Sequence, residues 1–402
     1  MVVGVRNDVA GGFSRSDQTV TQGRGSHIRH HASHKQLVIH AEPSPSAPGT
    51  SPVLDAVVVP AARPAHHLGD AITMARATGC HLVILCSLDA RPAEVLDLLA
   101  ARSFSEATVV EIKPDYEHKF FKFETSEWIK REFPARVSDL SIKRNVGLAL
   151  ARLLAWRRIF FMDDDIRDLD AAALRATVSL VSGESPKQRY YSAGMSSIDF
   201  PDNSVVCHAR RKIGEPQDIF VSGSALAVNC TESFGFFPDI YNEDWLFFYR
   251  DAAEGRLGTS GHTATQLRYD PFADPQRAAN QEFGDVIAEG LYALLEEGLG
   301  AEHANAERWT QFIADRRQML DKIISRASEA PDNIRGKMLY AVEIARKSLQ
   351  EIKPEMCEDY VKCWRRDLVL WETRLKDLKQ VPKKTSIADA LDWLGLKAAI
   401  RE

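Results

Sequence analysis

Arg158-Ile-Phe-Phe-Met-Asp-Asp-Asp-Ile-Arg167 is the stretch that decides the fold of this chain. Residues 159 to 162 form a short, unbroken apolar run, which is typical of a strand buried on both faces of a parallel sheet. Asp163, Asp164 and Asp165 follow directly. Ligands of open α/β sheets bind beyond the carboxyl ends of the strands, so we expect a site at these three carboxylates.

Three adjacent carboxylates repel one another unless a positive charge neutralises them. A hard divalent cation that carries phosphate oxygens is the usual partner of such a cluster. The alternative is a solvated acidic turn that caps the next helix through Asp168 or Asp170.

The composition bounds the class of protein. With 402 residues and 45% hydrophobic content, the chain has enough material for one large domain or two ordinary ones. A net charge of −5 gives no indication of nucleic acid or of an anionic membrane as partner. No segment approaches the roughly 18 consecutive apolar residues of a membrane span, and the N-terminus lacks an apolar signal core. We therefore expect a cytoplasmic protein.

The six cysteines lie far apart and form no CxxC pair, which predicts buried free thiols. Residues 1–52 are rich in Gly, Ser, Pro and Thr without apolar periodicity, which predicts a disordered segment. The histidines of that segment are assigned no function.

Strand and helix patterns alternate from residue 53 onward. Strands are predicted at 53–60, 81–87 and 107–112, and helices at 68–78 and 92–101. This alternation predicts a doubly wound, mostly parallel sheet of the Rossmann-like α/β class.

Residues 113–140 are charged and aromatic, and we interpret them as an insertion or lid beside the site. A helix over 141–152 then leads into the strand that carries the aspartates. Lys143, Arg144 and Asn145 lie near the start of that helix, where they are positioned to face a diphosphate. A solvated basic first turn is the alternative.

A second acidic group follows about 80 residues after the triplet. The pattern between them predicts a helix near 170–182, then a strand-and-loop region that includes residues 205–208 and 218–228. Glu243 and Asp244 then open an aromatic helical segment. They are either a general base for an acceptor hydroxyl or charges that complement the helix dipole.

The rest of the chain reads as helical. The predicted helices cover 276–297, 302–327, 333–352, 355–379 and 386–397. Their charged surfaces suit packing on the α/β half, and they suit a homodimer as well as a monomer.

Three segments, in order, resemble GT-A fold glycosyltransferases of the family 2 type. Lys143-Arg-Asn-Val-Gly147 resembles the basic helix start of that family, and Phe161-Met-Asp-Asp-Asp165 resembles its DxD strand. Val221-Ser-Gly-Ser-Ala225, together with Glu243-Asp244-Trp245, resembles the acceptor-side glycine segment and ED motif. The resemblance covers residues 53–272, with a nucleotide-binding half at 53–167, an acceptor-binding half at 168–272, and a C-terminal helical extension at 273–402.

The resemblance implies transfer of a single sugar from a nucleotide-sugar donor, with a UDP-sugar favoured, to a soluble or peripheral acceptor hydroxyl. Asp165 would ligate Mn²⁺ or Mg²⁺, and Asp163 would bind ribose or the metal. Asp244, with Glu243 beside it, is the implied base of an inverting displacement. Residues implied to contact the nucleotide are Arg63, Lys143, Arg144, Asn145 and Asp164.

The chain departs from the family at two places. The second strand ends in Cys86-Ser-Leu-Asp89, so Ser87 or Asp89 takes the role of the acidic residues that read the base. The late metal-binding histidine has two candidate replacements, His262 and Asp270, of which we favour His262.

Two other functions use a similar sheet. A sugar nucleotidyltransferase needs a glycine-rich phosphate loop after the first strand, but residues 60–69 contain only Gly69. A degenerate transferase fold that serves as a binding or scaffold module is the non-enzymatic alternative. Intact Asp163, Asp165 and Asp244 argue against that alternative.

Overall fold

A central β-sheet organises the computed structural model, which describes residues 36–41, 54–134, 138–182, 190–198, 204–216, 221–231, 234–381, 383–384 and 386–400. Within those residues the sheet has ten strands in the order β1-β9-β7-β8-β5-β2-β3-β4, and β6 and β10 pair beside this path. The strands are β1 (Ile39–His40), β2 (Ala56–Ala61), β3 (His81–Cys86), β4 (Ala107–Glu111), β5 (Arg158–Met162), β6 (Ile166–Arg167), β7 (Ser192–Ile198), β8 (Val221–Asn229), β9 (Leu257–Thr259) and β10 (Thr263–Gln266).

The predicted parallel unit is confirmed. Strands β5, β2, β3 and β4 are adjacent and parallel, and helices α1 (Gly69–Thr78) and α2 (Pro92–Ala101) connect β2 to β3 and β3 to β4. Every residue of β2 is buried, as expected for a strand covered on both faces. The pairing of β2 with β5 stops at Val58. Pro60, which has no N–H to donate, therefore lies beyond this pairing, and β2 ends at the next residue.

Strand β8 makes the sheet mixed. It runs antiparallel to both β5 and β7, and its pairing opposes Met162 to Ala225. The start of β8 therefore lies beside the carboxyl end of β5. Asp163 N–H donates to the Ser224 carbonyl over 2.9 Å, which fixes the acidic turn against β8.

Helix α4 (Leu140–Leu153) packs on the sheet where it leads into β5. A Cβ atom at Gly147 would lie 2.9 Å from Val58 and 3.0 Å from a ring carbon of Phe161. The glycine therefore permits close packing of α4 on β2 and β5, and this packing fixes the helix that carries Lys143, Arg144 and Asn145.

Other helices cover the sheet and extend beyond it. They are α5 (Ala171–Leu180), α6 (Val205–Lys212), α7 (Glu243–Phe247), α8 (Tyr249–Ala253), α9 (Gln276–Glu296), α10 (Ala306–Ser325), α11 (Asp332–Glu351), α12 (Pro354–Gln380) and α13 (Ile387–Trp393). The predicted C-terminal helices are thus confirmed, and they share one continuous hydrophobic core with α4 and one face of the sheet. Among the described residues, no helix is long and apolar enough to cross a membrane.

The segment predicted as a lid is mainly a packing element. It contains α3 (Glu124–Glu132), and its Phe120, Phe123 and Trp128 are buried. Asp367 of α12 accepts the N–H groups of Glu124 and Thr125 over 2.9 and 2.8 Å, and so caps α3 from another helix. These aromatic side chains pack against the C-terminal helices, so they belong to the core and do not form a lid over the site.

Two local predictions differ from the structure. Residues 205–208 were expected in a strand-and-loop region but begin α6, whose N-cap Ser204 accepts the Cys207 N–H over 3.3 Å. Within the segment predicted to be disordered, residues 36–41 are described and include β1, which pairs with β9. Residues 1–35 and 42–52 lie outside the described residues, as do residues 218–220. All six cysteines are free, as predicted, and five of them are buried.

Candidate active site

The acidic triplet and the second acidic pair line the same open cavity, which has a volume of about 290 Å³. Several parts of the chain supply its charged residues, and three of them carry the acidic groups and the arginine that follows β2. The loop after β2 supplies Arg63, the turn after β5 supplies Asp163, Asp164 and Asp165, and the start of α7 supplies Glu243 and Asp244. The acidic triplet after β5 and the acidic pair at the start of α7 are therefore brought together in the fold.

Arg144 joins these two acidic segments. Its Nη2 donates to both carboxylate oxygens of Asp163 over 2.9 Å, and its Nη1 bonds to Glu243. The guanidinium is 97% buried and lies over the Phe237 ring at 5.3 Å from its centroid. Burial alone would lower the pKa of Arg144, but the carboxylates of Asp163, Glu243 and Asp244 outweigh it and raise this pKa. Arg144 is therefore a permanent cation between two carboxylates.

Gly223 makes room for this arrangement. A Cβ atom at this position would lie 2.8 Å from Arg144 Nη1 and 2.9 Å from the Asp244 Cβ. Its N–H donates to Asp244 Oδ2 over 2.8 Å, while the Trp245 N–H donates to Oδ1 over 2.9 Å. Two backbone donors therefore fix the orientation of the Asp244 carboxylate at the cavity wall.

Burial changes the acidity of the second acidic pair. Desolvation, together with the charge of Asp244, raises the pKa of Glu243 to about 8 against the opposing effect of Arg144. Desolvation also raises the pKa of Asp244, although Arg144 and the two backbone donors act in the opposite direction. Both pKa values are therefore raised by burial, and each negative charge makes ionisation of the neighbouring group harder.

The three aspartates of the triplet face different partners. Asp164 Oδ2 accepts the N–H groups of Ala62 and Arg63 over 2.7 and 2.8 Å, and its Oδ1 bonds to the Arg63 guanidinium. This buried carboxylate therefore anchors the loop after β2. Arg63 Nη2 also contacts Asp165 Oδ2 over 2.8 Å, while Asp163 faces Arg144.

Lys143 and Asn145, predicted to face a diphosphate, are engaged elsewhere. Lys143 Nζ contacts the Ala61 carbonyl, Ser87 Oγ and Asp139 Oδ1 over 3.1, 2.8 and 3.1 Å. The Asn145 amide exchanges hydrogen bonds of 2.8 and 2.9 Å with the backbone of Phe237. Lys143 still lines the cavity, whereas Asn145 fixes the loop that precedes α7.

Ser87 and Asp89, the candidates for reading the base, lie at the end of β3. Ser87 is buried, and its Oγ accepts a hydrogen bond from the Lys143 ammonium group. Asp89 is exposed, and its N–H donates to the Ala62 carbonyl over 3.0 Å, which places it beside the loop of Arg63.

The structure separates both candidate late ligands from the aspartates. His262 is exposed and precedes β10, so it lies roughly 13 Å along the strand from Gln266 at about 3.3 Å per residue. Asp270 contacts Lys337 over 3.2 Å and accepts the Phe272 N–H over 3.0 Å. Neither residue lines the cavity as the structure describes it.

Gln266, Tyr269 and Arg277 line the cavity and were not predicted. Gln266 Nε2 donates to Asp165 Oδ2 over 3.2 Å, and the Arg277 guanidinium lies over the Tyr269 ring at 4.3 Å from its centroid. No sequence pattern indicated these three residues, because β10 has only four residues and nothing in the sequence marks which of its ends meets the aspartates.

Among the described residues, no group of three or more His, Cys, Asp or Glu side chains is gathered around one point as a metal site. The oxygens present nevertheless suit a hard divalent cation, because Asp163 and Asp165 face the same cavity as Gln266. The buried Gln266 Oε1 has no hydrogen-bond partner within the described part of the chain. The donor set therefore fits Mn²⁺ or Mg²⁺.

No family model matches this sequence, and a search of curated proteins returns no significant match.

Proposed function

We propose that this chain is a metal-dependent glycosyltransferase of GT-A type, which moves one sugar from a nucleotide-sugar donor to an acceptor hydroxyl. The observation that carries the proposal is the Arg144 bridge between Asp163 and Glu243. It joins, in one cavity, the two acidic segments that the resemblance assigns to the donor and to the acceptor.

The sheet topology supports the same proposal. Arg63 follows β2 and the aspartates follow β5, so both lie at the carboxyl ends of adjacent parallel strands. Ligands of open α/β sheets bind at this edge. The antiparallel β8 brings Ser222 and Gly223 to the same edge, beside Asp244.

The donor side of the cavity carries the charges that a diphosphate requires. Asp163 and Asp165 would hold Mn²⁺ or Mg²⁺, which supplies Lewis-acid stabilisation of the diphosphate leaving group when it is bound. The Arg63 side chain is 41% exposed and contacts Asp165, so its positive charge lies on the side of the cavity where a diphosphate would bind. Arg144 lies between the carboxylates of Asp163 and Glu243, and its positive charge offsets the cost of burying their negative charges.

On the acceptor side, Asp244 accepts the proton of the acceptor hydroxyl. The acceptor oxygen then forms a bond to the anomeric carbon as the bond from that carbon to the diphosphate oxygen breaks, and the bonding electron pair leaves with the diphosphate. The two backbone N–H groups hold the Asp244 carboxylate in place during this transfer. Attack on the face opposite the leaving group inverts the anomeric configuration.

The test is release of nucleoside diphosphate from a panel of sugar nucleotides, UDP-sugars first, with Mn²⁺ and candidate acceptors. Asp244→Asn is expected to lower transfer at least 100-fold while donor binding stays within about twofold. Asp270→Asn is the matched control, because that carboxylate lies outside the cavity, and it should leave transfer unchanged. Loss of donor binding in Asp244→Asn would contradict its role as base. Absence of release from every donor would contradict the transferase and favour the binding module.

A further inference from the structure

The side-chain amide of Gln266 has a buried oxygen without a hydrogen-bond partner among the described residues. The residue is the last of β10 and is 95% buried. Its Nε2 donates to Asp165, but its Oε1 accepts no hydrogen bond within the described residues. An unpaired buried polar group destabilises the folded state, so this oxygen is expected to have a partner in the working protein.

The backbone holds this amide against the acidic turn. Gln266 opposes Ile166 in the antiparallel pair of β10 with β6, and the Leu267 N–H donates to the Asp165 carbonyl over 2.8 Å. These bonds flank the Gln266 side chain and fix its position beside the Asp165 carboxylate. The site is therefore built by the sheet rather than by a loop.

The surroundings of Oε1 select the kind of partner. Carboxylate oxygens are acceptors only, so neither Asp163 nor Asp165 satisfies an amide oxygen when ionised. Arg144 Nη1 and Nη2 donate to Glu243 and Asp163, and the Arg63 guanidinium contacts Asp164 and Asp165, while Arg144 Nε has no hydrogen-bond partner within the described residues. An amide oxygen next to carboxylates matches the oxygen ligand sets that hard divalent cations take.

We propose that Gln266 Oε1 is a protein ligand of the divalent cation, together with Asp163 and Asp165. This inference rests on the proposed function. It assigns to the Gln266 amide oxygen the metal-ligand role that the resemblance implied for His262. The resulting ligand set consists of oxygens only. It favours Mg²⁺ and Mn²⁺ over Zn²⁺ and Co²⁺, which imidazole ligands suit better.

The test measures binding of Mn²⁺ itself to the full chain, through the electron paramagnetic resonance signal of free Mn²⁺, with and without UDP. Gln266→Ala is expected to raise the Mn²⁺ dissociation constant at least tenfold. Gln266→His should shift the preference toward Zn²⁺ and Co²⁺. His262→Ala is the matched control and should bind Mn²⁺ as the unmodified chain does.

Gln266→Glu gives a second readout that needs no binding signal. Without metal it adds a carboxylate beside Asp165, so the unfolding temperature should fall. Mn²⁺ should restore that temperature and bind more tightly than it does to the unmodified chain. Thermal unfolding of Gln266→Ala without metal shows whether that variant folds.

The outcomes separate this inference from the proposed function. If Asp165→Ala loses Mn²⁺ while Gln266→Ala keeps it, the Gln266 assignment is wrong and the transferase proposal stands. If Gln266→Ala weakens Mn²⁺ binding but no sugar nucleotide is turned over, the ligand assignment stands and the transferase proposal is wrong. Absence of Mn²⁺ binding to the unmodified chain, with and without UDP, contradicts both.

Discussion

At the scale of residues, the positive charges of two arginines lie among the negative charges of five carboxylates. Arg144 contacts Asp163 and Glu243, and Arg63 contacts Asp164 and Asp165. The fifth carboxylate, Asp244, is held by backbone N–H groups instead. The Gly223 and Trp245 N–H groups therefore fix the orientation of the Asp244 carboxylate.

The coupled acidic pair predicts a pH dependence. Burial raises the pKa of Asp244 and raises that of Glu243 to about 8, so the pair keeps a proton at pH values where ordinary carboxyl groups, with pKa about 4, are ionised. A base must be deprotonated, so kcat/KM for transfer should rise with pH above the range in which an ordinary aspartate ionises, because the pKa of Asp244 is raised. A pH–rate profile checks this expectation. Full activity at pH 5 would contradict it.

At the scale of elements, the residue before the acidic pair has a left-handed backbone. Asn242 begins α7 with φ of 62°, and its Nδ2 donates to Asp285 Oδ1 over 2.9 Å. Asp285 also contacts Arg316, a fully buried arginine shared with Glu282 and Glu289. The start of α7 is thereby tied to α9 and α10.

Substitution of Asn242 separates the backbone effect from the hydrogen bond. Both variants lose the bond to Asp285, but Asn242→Ala keeps a Cβ in the left-handed region, whereas Asn242→Gly removes it. Asn242→Ala should therefore be less stable than Asn242→Gly by about 1 kcal/mol in urea unfolding. Both variants should lower kcat, because α7 carries Asp244. Equal stability of the two variants would show that the backbone conformation at this position is not strained.

The elements that sequence patterns predicted well are those with an unambiguous burial pattern. Strands β2, β3 and β5 are apolar because they are covered on both faces, and the C-terminal helices show helical periodicity. Helix α6 was missed because it has only eight residues, half of them polar, and its start depends on the Ser204 cap. Gln266 was missed because β10 has four residues, and no pattern indicates which end of so short a strand meets the aspartates. Lys143 and Asn145 were expected to face a ligand from the helix that became α4. In the structure they form hydrogen bonds to Ser87 and Phe237 instead, and a sequence alone does not distinguish such contacts from ligand contacts.

At the scale of the whole molecule, the C-terminal helices are part of the α/β core. Trp371 Nε1 donates to the Phe234 carbonyl over 3.1 Å, and Asp367 caps α3. Asp367→Ala should lower the free energy of unfolding by about 1–3 kcal/mol, because the buried N–H of Thr125 and the part-buried N–H of Glu124 lose their acceptor. Asp359→Ala, at an exposed position of the same helix, is the control and should change it by less than about 0.5 kcal/mol. A loss of the same size in both variants would exclude a specific capping role.

Metal-dependent binding of a nucleoside diphosphate tests the central claim most directly. The measurement is thermal unfolding of the full chain with UDP, GDP, CDP, ADP or dTDP, each with and without Mn²⁺. A ligand at 100 times its dissociation constant stabilises by about 2.7 kcal/mol, which corresponds to a shift of several degrees. We predict that one diphosphate shifts the midpoint only with Mn²⁺, that Asp165→Ala abolishes this shift, and that Asp244→Asn retains it. A shift that is the same without metal, or no shift with any diphosphate, would contradict the account.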